Sequence, residues 1–228
     1  MKKILLLLCA AFVIAVPAQA QLTGTFKDGP HFAYPYGGDV RHERAGFGWQ
    51  VAYEWTDYLS AEASISRYKD KLDDLNLVAP PLNTELDLET IAIGVSGRLG
   101  YPIGRFTPYL GGGLGYYFMR TDNDRINRSI RDNPSALPAG VSELRVSADM
   151  DNTFGYHLAL GLEWLITSKW EVFAEYRRVF LESDLTIRRA ETRRTSSGPL
   201  AVSRSETRET KTFPYDHGLF RIGVNYRF

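Results

Sequence analysis

Large apolar residues and small or polar residues alternate one by one along most of the chain. Over residues 47–55 the odd positions are Phe47, Trp49, Val51, Tyr53 and Trp55, and the even ones Gly48, Gln50, Ala52 and Glu54. Over 154–164, Phe154, Tyr156, Leu158, Leu160, Leu162 and Trp164 alternate with Gly155, His157, Ala159, Gly161 and Glu163. The C-terminus sets Phe220, Ile222, Val224, Tyr226 and Phe228 against Arg221, Gly223, Asn225 and Arg227. Successive side chains of a strand point to opposite faces, so each segment carries one greasy face and one polar or tiny face. Weaker copies fall at 59–68, 91–101, 106–118 and 170–176, with Glu62, Arg98, Glu171, Glu175 and Arg177 on the polar side. A first strand is expected within 22–32, where Gly29-Pro30 interrupts or ends it. The pattern predicts eight strands.

The connections alternate in length. Residues 56–58, 102–105 and 167–169 read as tight turns, whereas 33–46, 69–90, 121–152 and 183–215 read as long polar loops. Each long loop carries turn formers: Gly37-Gly38, Pro80-Pro81, Asp132-Asn133-Pro134 and Ser196-Ser197-Gly198-Pro199. The last reads as two extended arms around its Ser-Ser-Gly-Pro tip. There is no longer repeat and no heptad pattern.

Composition decides which face is outside. The 228 residues include 13 Tyr, 12 Phe and 4 Trp. In a water-soluble barrel the bulky set would point inward, but eight strands leave room only for side chains. Trp49, Trp55, Trp164 and Trp170 would overfill the tube and leave Gly, Ala and Ser as its surface. The reverse arrangement puts the large set in lipid and small or charge-paired residues in the lumen. Trp55, Tyr58, Tyr101, Trp164 and Trp170 adjoin the short turns, as an interfacial aromatic girdle would. Tyr116, Phe118, Phe154, Tyr156, Phe180 and Phe220 suit the opposite girdle. The expected fold is therefore all-β: an eight-stranded antiparallel up-and-down transmembrane barrel with short periplasmic turns and long extracellular loops. Mean hydropathy of −0.25 excludes a bundle of membrane helices.

Residues 1–20 read as a signal peptide: Lys2 and Lys3, an apolar run from Ile4 to Val16, then Ala18-Gln19-Ala20 as the cleavage pattern. Residues 21–228 are the expected barrel domain. The only cysteine, Cys9, lies in the leader, so the mature chain offers no disulfide or thiolate metal site. With 27 basic and 27 acidic residues, the chain has no electrostatic footprint for nucleic acid. Removing the leader lysines leaves a net charge of about −2.

The stretch from Phe154 to Trp164, followed by Thr167-Ser168-Lys169-Trp170 and 171–177, resembles the small outer-membrane β-barrel domain family of Gram-negative bacteria. Its C-terminus, Phe220, Ile222, Val224, Tyr226 and Phe228, looks like the family's signal to the barrel-assembly machinery. The resemblance implies an outer-membrane location and the barrel fold. It implies an activity far less firmly. The expected partners are membrane lipid, lipopolysaccharide and, during insertion, the assembly machinery, with the protein a monomer.

The predicted lumen network comprises Glu54, Glu62, Arg98, His157, Glu163, Glu171, Glu175, Arg177 and Arg221, with Arg227 at its end. Its signs nearly balance, so cross-strand Arg–Glu pairing is expected. The pairing reads as a stiffening plug, with a gate or selectivity lining as the alternative. His157 and Glu163 are about 20 Å apart along one strand and cannot pair. Inward Ser64, Ser66 and Ser96 are not placed beside His157 by sequence, so no hydrolase site is read. His31 and His42, in the first loop region, lack metal-ligand spacing. Gly111-Gly112-Gly113 lacks the lysine of a phosphate loop. No catalytic residue, cofactor or metal is expected. The last loop carries Arg188, Arg189, Arg193, Arg194, Arg204, Arg208 and Lys211 against Glu191, Glu206 and Glu209, a surplus suited to lipopolysaccharide phosphates or an acidic host surface. The function expected is a structural or surface-interaction barrel. The alternative is a narrow porin for small or hydrophobic solutes, and a lipid-modifying enzyme ranks last.

Overall fold

A computed structural model describes residues 24–36, 40–72, 86–134, 137, 141–194 and 202–228. The strands are β1 (Thr25–Tyr36), β2 (Val40–Glu54), β3 (Leu59–Leu72), β4 (Leu86–Gly100), β5 (Phe106–Asp122), β6 (Val141–Met150), β7 (Thr153–Leu165), β8 (Trp170–Arg194), β9 (Val202–Pro214) and β10 (His217–Arg227). Among the described residues one helix, α1, covers Asp124–Asp132. Antiparallel hydrogen bonding runs β1-β2-β3-β4-β5-β7-β8-β10 and returns to β1, closing a ring of these eight strands. Closure leaves no backbone edge in the hydrocarbon.

The bulky set faces out. Trp49, Trp55, Trp164 and Trp170 are 45–50% exposed, whereas Arg221, Glu175 and Asn225 are at most 1% exposed. A water-soluble barrel would show the opposite. The expected girdle residues Trp55, Tyr58, Tyr101, Trp164 and Trp170 all stand on this outer surface. At the other end Tyr116 packs against Phe154, with ring centroids 4.6 Å apart, and Tyr156 stacks on Phe180 at 4.9 Å.

The short turns close by side-chain chemistry. Thr56 Oγ1 accepts the backbone N–H of Tyr58 and Leu59, and Thr167 Oγ1 accepts those of Lys169 and Trp170. In the third turn Ile103 and Phe106 exchange backbone hydrogen bonds around Gly104, whose φ of 64° is the left-handed region glycine favours.

Three sequence expectations need correction. The first strand does not end at Gly29-Pro30; β1 continues to Tyr36, and its ladder with β10 resumes at His31↔Gly223 in unchanged register. Proline lacks only its own N–H, and flanking pairs carry the strand across. His31 is therefore a buried β1 residue, and His42 belongs to β2; neither is in a loop. The supposed loops at 33–46 and 69–90 are largely strand, since β2 starts at Val40, β3 runs to Leu72 and β4 starts at Leu86. The segment 121–152 holds α1 and β6, whereas 183–215 holds the upper half of β8 and β9, two extended arms as expected. The leader, with Cys9, and the formers Gly37-Gly38, Pro80-Pro81 and 196–199 lie outside the described residues.

β8 organises the outer end. Its first half belongs to the barrel, and its second half, from Glu182, pairs β6 on one side and β9 on the other. The three strands form a sheet standing on the barrel rim. Its inner face joins α1 and the upper barrel wall in one apolar core, including Leu86, Leu88, Tyr117, Ile126, Ile130, Val146, Met150, Val179, Leu181 and Leu185.

Candidate functional site

β1, β2, β7, β8 and β10 bring a first charged layer together at the periplasmic end. Lys27 Nζ, 1% exposed, stands 2.9 Å from Glu54, 2.8 Å from Glu163 and 3.1 Å from Glu171. Arg227 reaches Glu54 at 2.9 Å, and Asn225 Nδ2 donates to Glu171 at 2.9 Å.

Above it lies the tightest part of the lumen. Arg221, from β10, reaches Glu62 at 3.0 Å and Glu175 at 2.7 Å. Arg177 reaches the same two carboxylates at 3.0 and 2.9 Å. Arg98 contacts Glu62, and reaches Glu163 and Glu175 at 3.2 Å each, joining the layers. Tyr109 donates to Glu175 at 3.0 Å and lies under the Arg98 guanidinium at 4.7 Å. Gly161 makes this approach possible, because a Cβ there would meet the Tyr109 ring at 2.2 Å. Five cations (Lys27, Arg98, Arg177, Arg221, Arg227) thus face five carboxylates (Glu54, Glu62, Glu163, Glu171, Glu175). Burying the charges is tolerable only because each meets opposite charge. All nine predicted lumen residues face inward.

His157 is inward too but sits apart, with Ser96 Oγ at 2.8 Å from its Nε2. The same pairing recurs between His31 Nε2 and Ser66 Oγ at 2.8 Å. No carboxylate among the described residues meets His157 Nδ1, which lacks a hydrogen-bond partner there. A charge-relay arrangement needs a third group to orient the base.

Sequence reasoning missed Lys27, His31, Gln50 and the cluster at the barrel's outer end. Lys27 and His31 share parity with the inward set of β1, a signal hidden once Pro30 was taken as a break. In the outer cluster Tyr215 donates to Asp70, and Tyr68 Oη lies 3.0 Å from His217 Nε2. Burial and the nearby Asp70 carboxylate hold the Tyr215 phenol well above its ordinary pKa.

Outside the membrane the register sorts the arginines by face. Arg188 lies directly opposite Arg208, with Ser147 on its other side. Arg145 and Arg204 share this outward face with Glu143 and Glu206, and Arg145 pairs with Glu143 at 2.8 Å. Arg189 and Arg193 occupy the opposite face, where Arg193 pairs with Glu191 at 3.0 Å. The side chain of Arg194 lies outside the described residues.

A family model described as the outer membrane protein beta-barrel domain matches residues 5–228. No curated protein matches by sequence. Among solved structures, OprG of Pseudomonas aeruginosa aligns with a TM-score of 0.57 at 16% identity, covering 90% of this chain and 96% of that one. Neisserial surface protein A (NspA) aligns over 90% and 97% of the two chains, at 15% identity and a TM-score of 0.45. AlkL, determined in lipid bilayers, aligns over 90% of each at 15% identity and 0.47.

Proposed function

This chain belongs to the outer membrane protein beta-barrel domain family and resides in the bacterial outer membrane, and on that premise we propose that it is a sealed, non-enzymatic barrel displaying a lipopolysaccharide-binding sheet. The leader is removed after Ala20, and the assembly machinery reads Phe220, Ile222, Val224, Tyr226 and Phe228. One observation carries the binding role. Arg188 and Arg208 are directly opposed on the exposed face of the β6–β8–β9 sheet, and neither has an acidic partner among the described residues. Like charges so placed repel each other, and a bound phosphate relieves that repulsion. The Arg188, Arg204, Arg208→Gln triple variant is expected to bind lipopolysaccharide at least about tenfold more weakly, a loss of roughly 1.4 kcal/mol. An Arg189, Arg193→Gln variant serves as the control. Equal binding by both variants and the parent ends the idea.

A second reading, a channel for hydrophobic solutes, is favoured by the apolar core packed above the charged layers, with Leu86, Leu88, Tyr117, Met119, Val179 and Leu181 on the barrel wall. The interlocked Arg–Glu layers below argue against free passage. Planar-bilayer recording separates the two. The sealed barrel gives no steady openings, and stable unitary currents would favour the channel.

A further inference from the structure

The two edges of the extracellular sheet are treated differently. The β6 edge is covered. Asn123 Oδ1 accepts from Ala148 N at 2.7 Å while its Nδ2 donates to Ala148 O at 3.1 Å. One helical turn on, Asn127 makes the same two-pronged contact with Val146 N and O, at 3.1 and 3.0 Å. These amides imitate a neighbouring strand, and they occupy the hydrogen-bonding groups that make an edge adhesive. Among the described residues the β9 edge has no such cover: β9 pairs with β8 alone, and residues 203–212 are exposed.

The side chains of β9 restrict what can pair there. Two-fold antiparallel pairing of identical strands places residues of the same parity opposite each other. Centred on Thr207, the register sets Glu206 opposite Arg208 of the second strand, twice, and overlaps residues 202–212. Moving the centre to Glu206 or Arg208 opposes two glutamates or two arginines at the axis. A two-fold along the strands sets each residue level with its own copy but on the opposite face of the sheet, so it cannot build a parallel ladder between the two edges.

This sets the geometry of assembly. β8 is one unbroken strand from Trp170 to Arg194, so its last 13 residues, with β9 beside them, continue the line of a transmembrane strand for about 40 Å of their own length. Two barrels in one membrane are related by an axis along the membrane normal, and about that axis a strand runs antiparallel to its own copy only if it lies flat on the membrane, which the continuation of a transmembrane strand does not. The antiparallel arrangement needs an axis across the strands, which turns the second barrel over. We propose that β9 is a homophilic docking edge, pairing antiparallel about Thr207 with β9 of a second copy standing in a facing outer membrane. The function is tethering of one cell surface to another. The monomer expected within one membrane is untouched. The proposal rests on the outward display of the sheet and not on lipopolysaccharide binding.

The test uses the full mature chain reconstituted in phosphatidylcholine vesicles free of lipopolysaccharide, with tethering read by energy transfer between donor- and acceptor-labelled vesicles. Parent vesicles are expected to tether. Vesicles carrying Glu206→Arg alone, or Arg208→Glu alone, oppose like charges and are expected to tether at least about tenfold less. Mixing the two populations makes both cross-strand pairs complementary, and tethering is expected to return to within about twofold of the parent. The double variant Glu206→Arg, Arg208→Glu is expected to tether with itself. Recovery in the mixture also shows that each single variant has folded. Absence of tethering by the parent, single variants that tether as the parent does, or a mixture that fails while the parent tethers each overturns the proposal. Because no lipopolysaccharide is present, these outcomes are independent of the binding reading above.

Discussion

The lower and upper halves of β8 follow the same alternation with opposite chemistry. In the barrel its odd positions face the lumen as Glu171, Phe173, Glu175 and Arg177, and its even positions Trp170, Val172 and Tyr176 face lipid. Past the rim the odd positions turn apolar, with Val179, Leu181 and Leu185 buried against the cap core. The even positions become Glu182, Asp184 and Arg188, which are exposed. The inner side changes from charged to greasy where the outer side changes from greasy to charged. Surroundings explain both. In hydrocarbon the outside must be apolar, and a narrow tube then closes with paired charges; in water the apolar residues belong inside. The sheet outside the membrane is built as an ordinary soluble layer on the same continuous strand.

The largest test of that contrast is Arg221→Met. It leaves the buried Glu62 and Glu175 short of a cation, and should destabilise the whole barrel by about 3–5 kcal/mol. The readout is the urea midpoint of the folded barrel in detergent, and a shift no larger than that of an outward Arg188→Gln variant would refute the view that the lumen is held by charge pairing. Ile126→Ala acts on the other half. Removing a helix side chain from the cap core should cost about 2–4 kcal/mol, confined to α1 and β6, while the barrel midpoint holds. Amide hydrogen exchange of the cap against that of the lower strands measures it, and equal loss in both regions would make them one cooperative unit. The smallest effect is expected of Asn127→Ala. It strips the cover from Val146 N–H and C=O and should cost about 1–2 kcal/mol, seen as faster exchange at Val146 with little change elsewhere.

The two regions were unequally readable. The lumen residues Glu62, Arg98, Glu163, Glu175, Arg177 and Arg221 lie in strands whose neighbours alternate cleanly, so parity alone assigns them to the inner face. Lys27 and His31 obey the same rule, yet Pro30 between them resembled a break. Tyr68, Asp70, Tyr215 and His217 went unread because they sit where the strands outrun the membrane and polar residues fill both faces. Where α1 meets β6 the decisive residues are Asn123, just before the helix, and Asn127 within it, and asparagines favour turns and caps when read locally.

The amino-acid sequence by itself determined the number of barrel strands, the face that meets lipid and most of the charges in the tube, because all three follow from period-two alternation and side-chain size. Only the tertiary structure decided which charge meets which, that long polar segments stand up as a sheet, and that one edge of that sheet is covered while the other is open. Those outcomes depend on register between strands far apart in the chain, and register is set by the closure of the barrel as a whole.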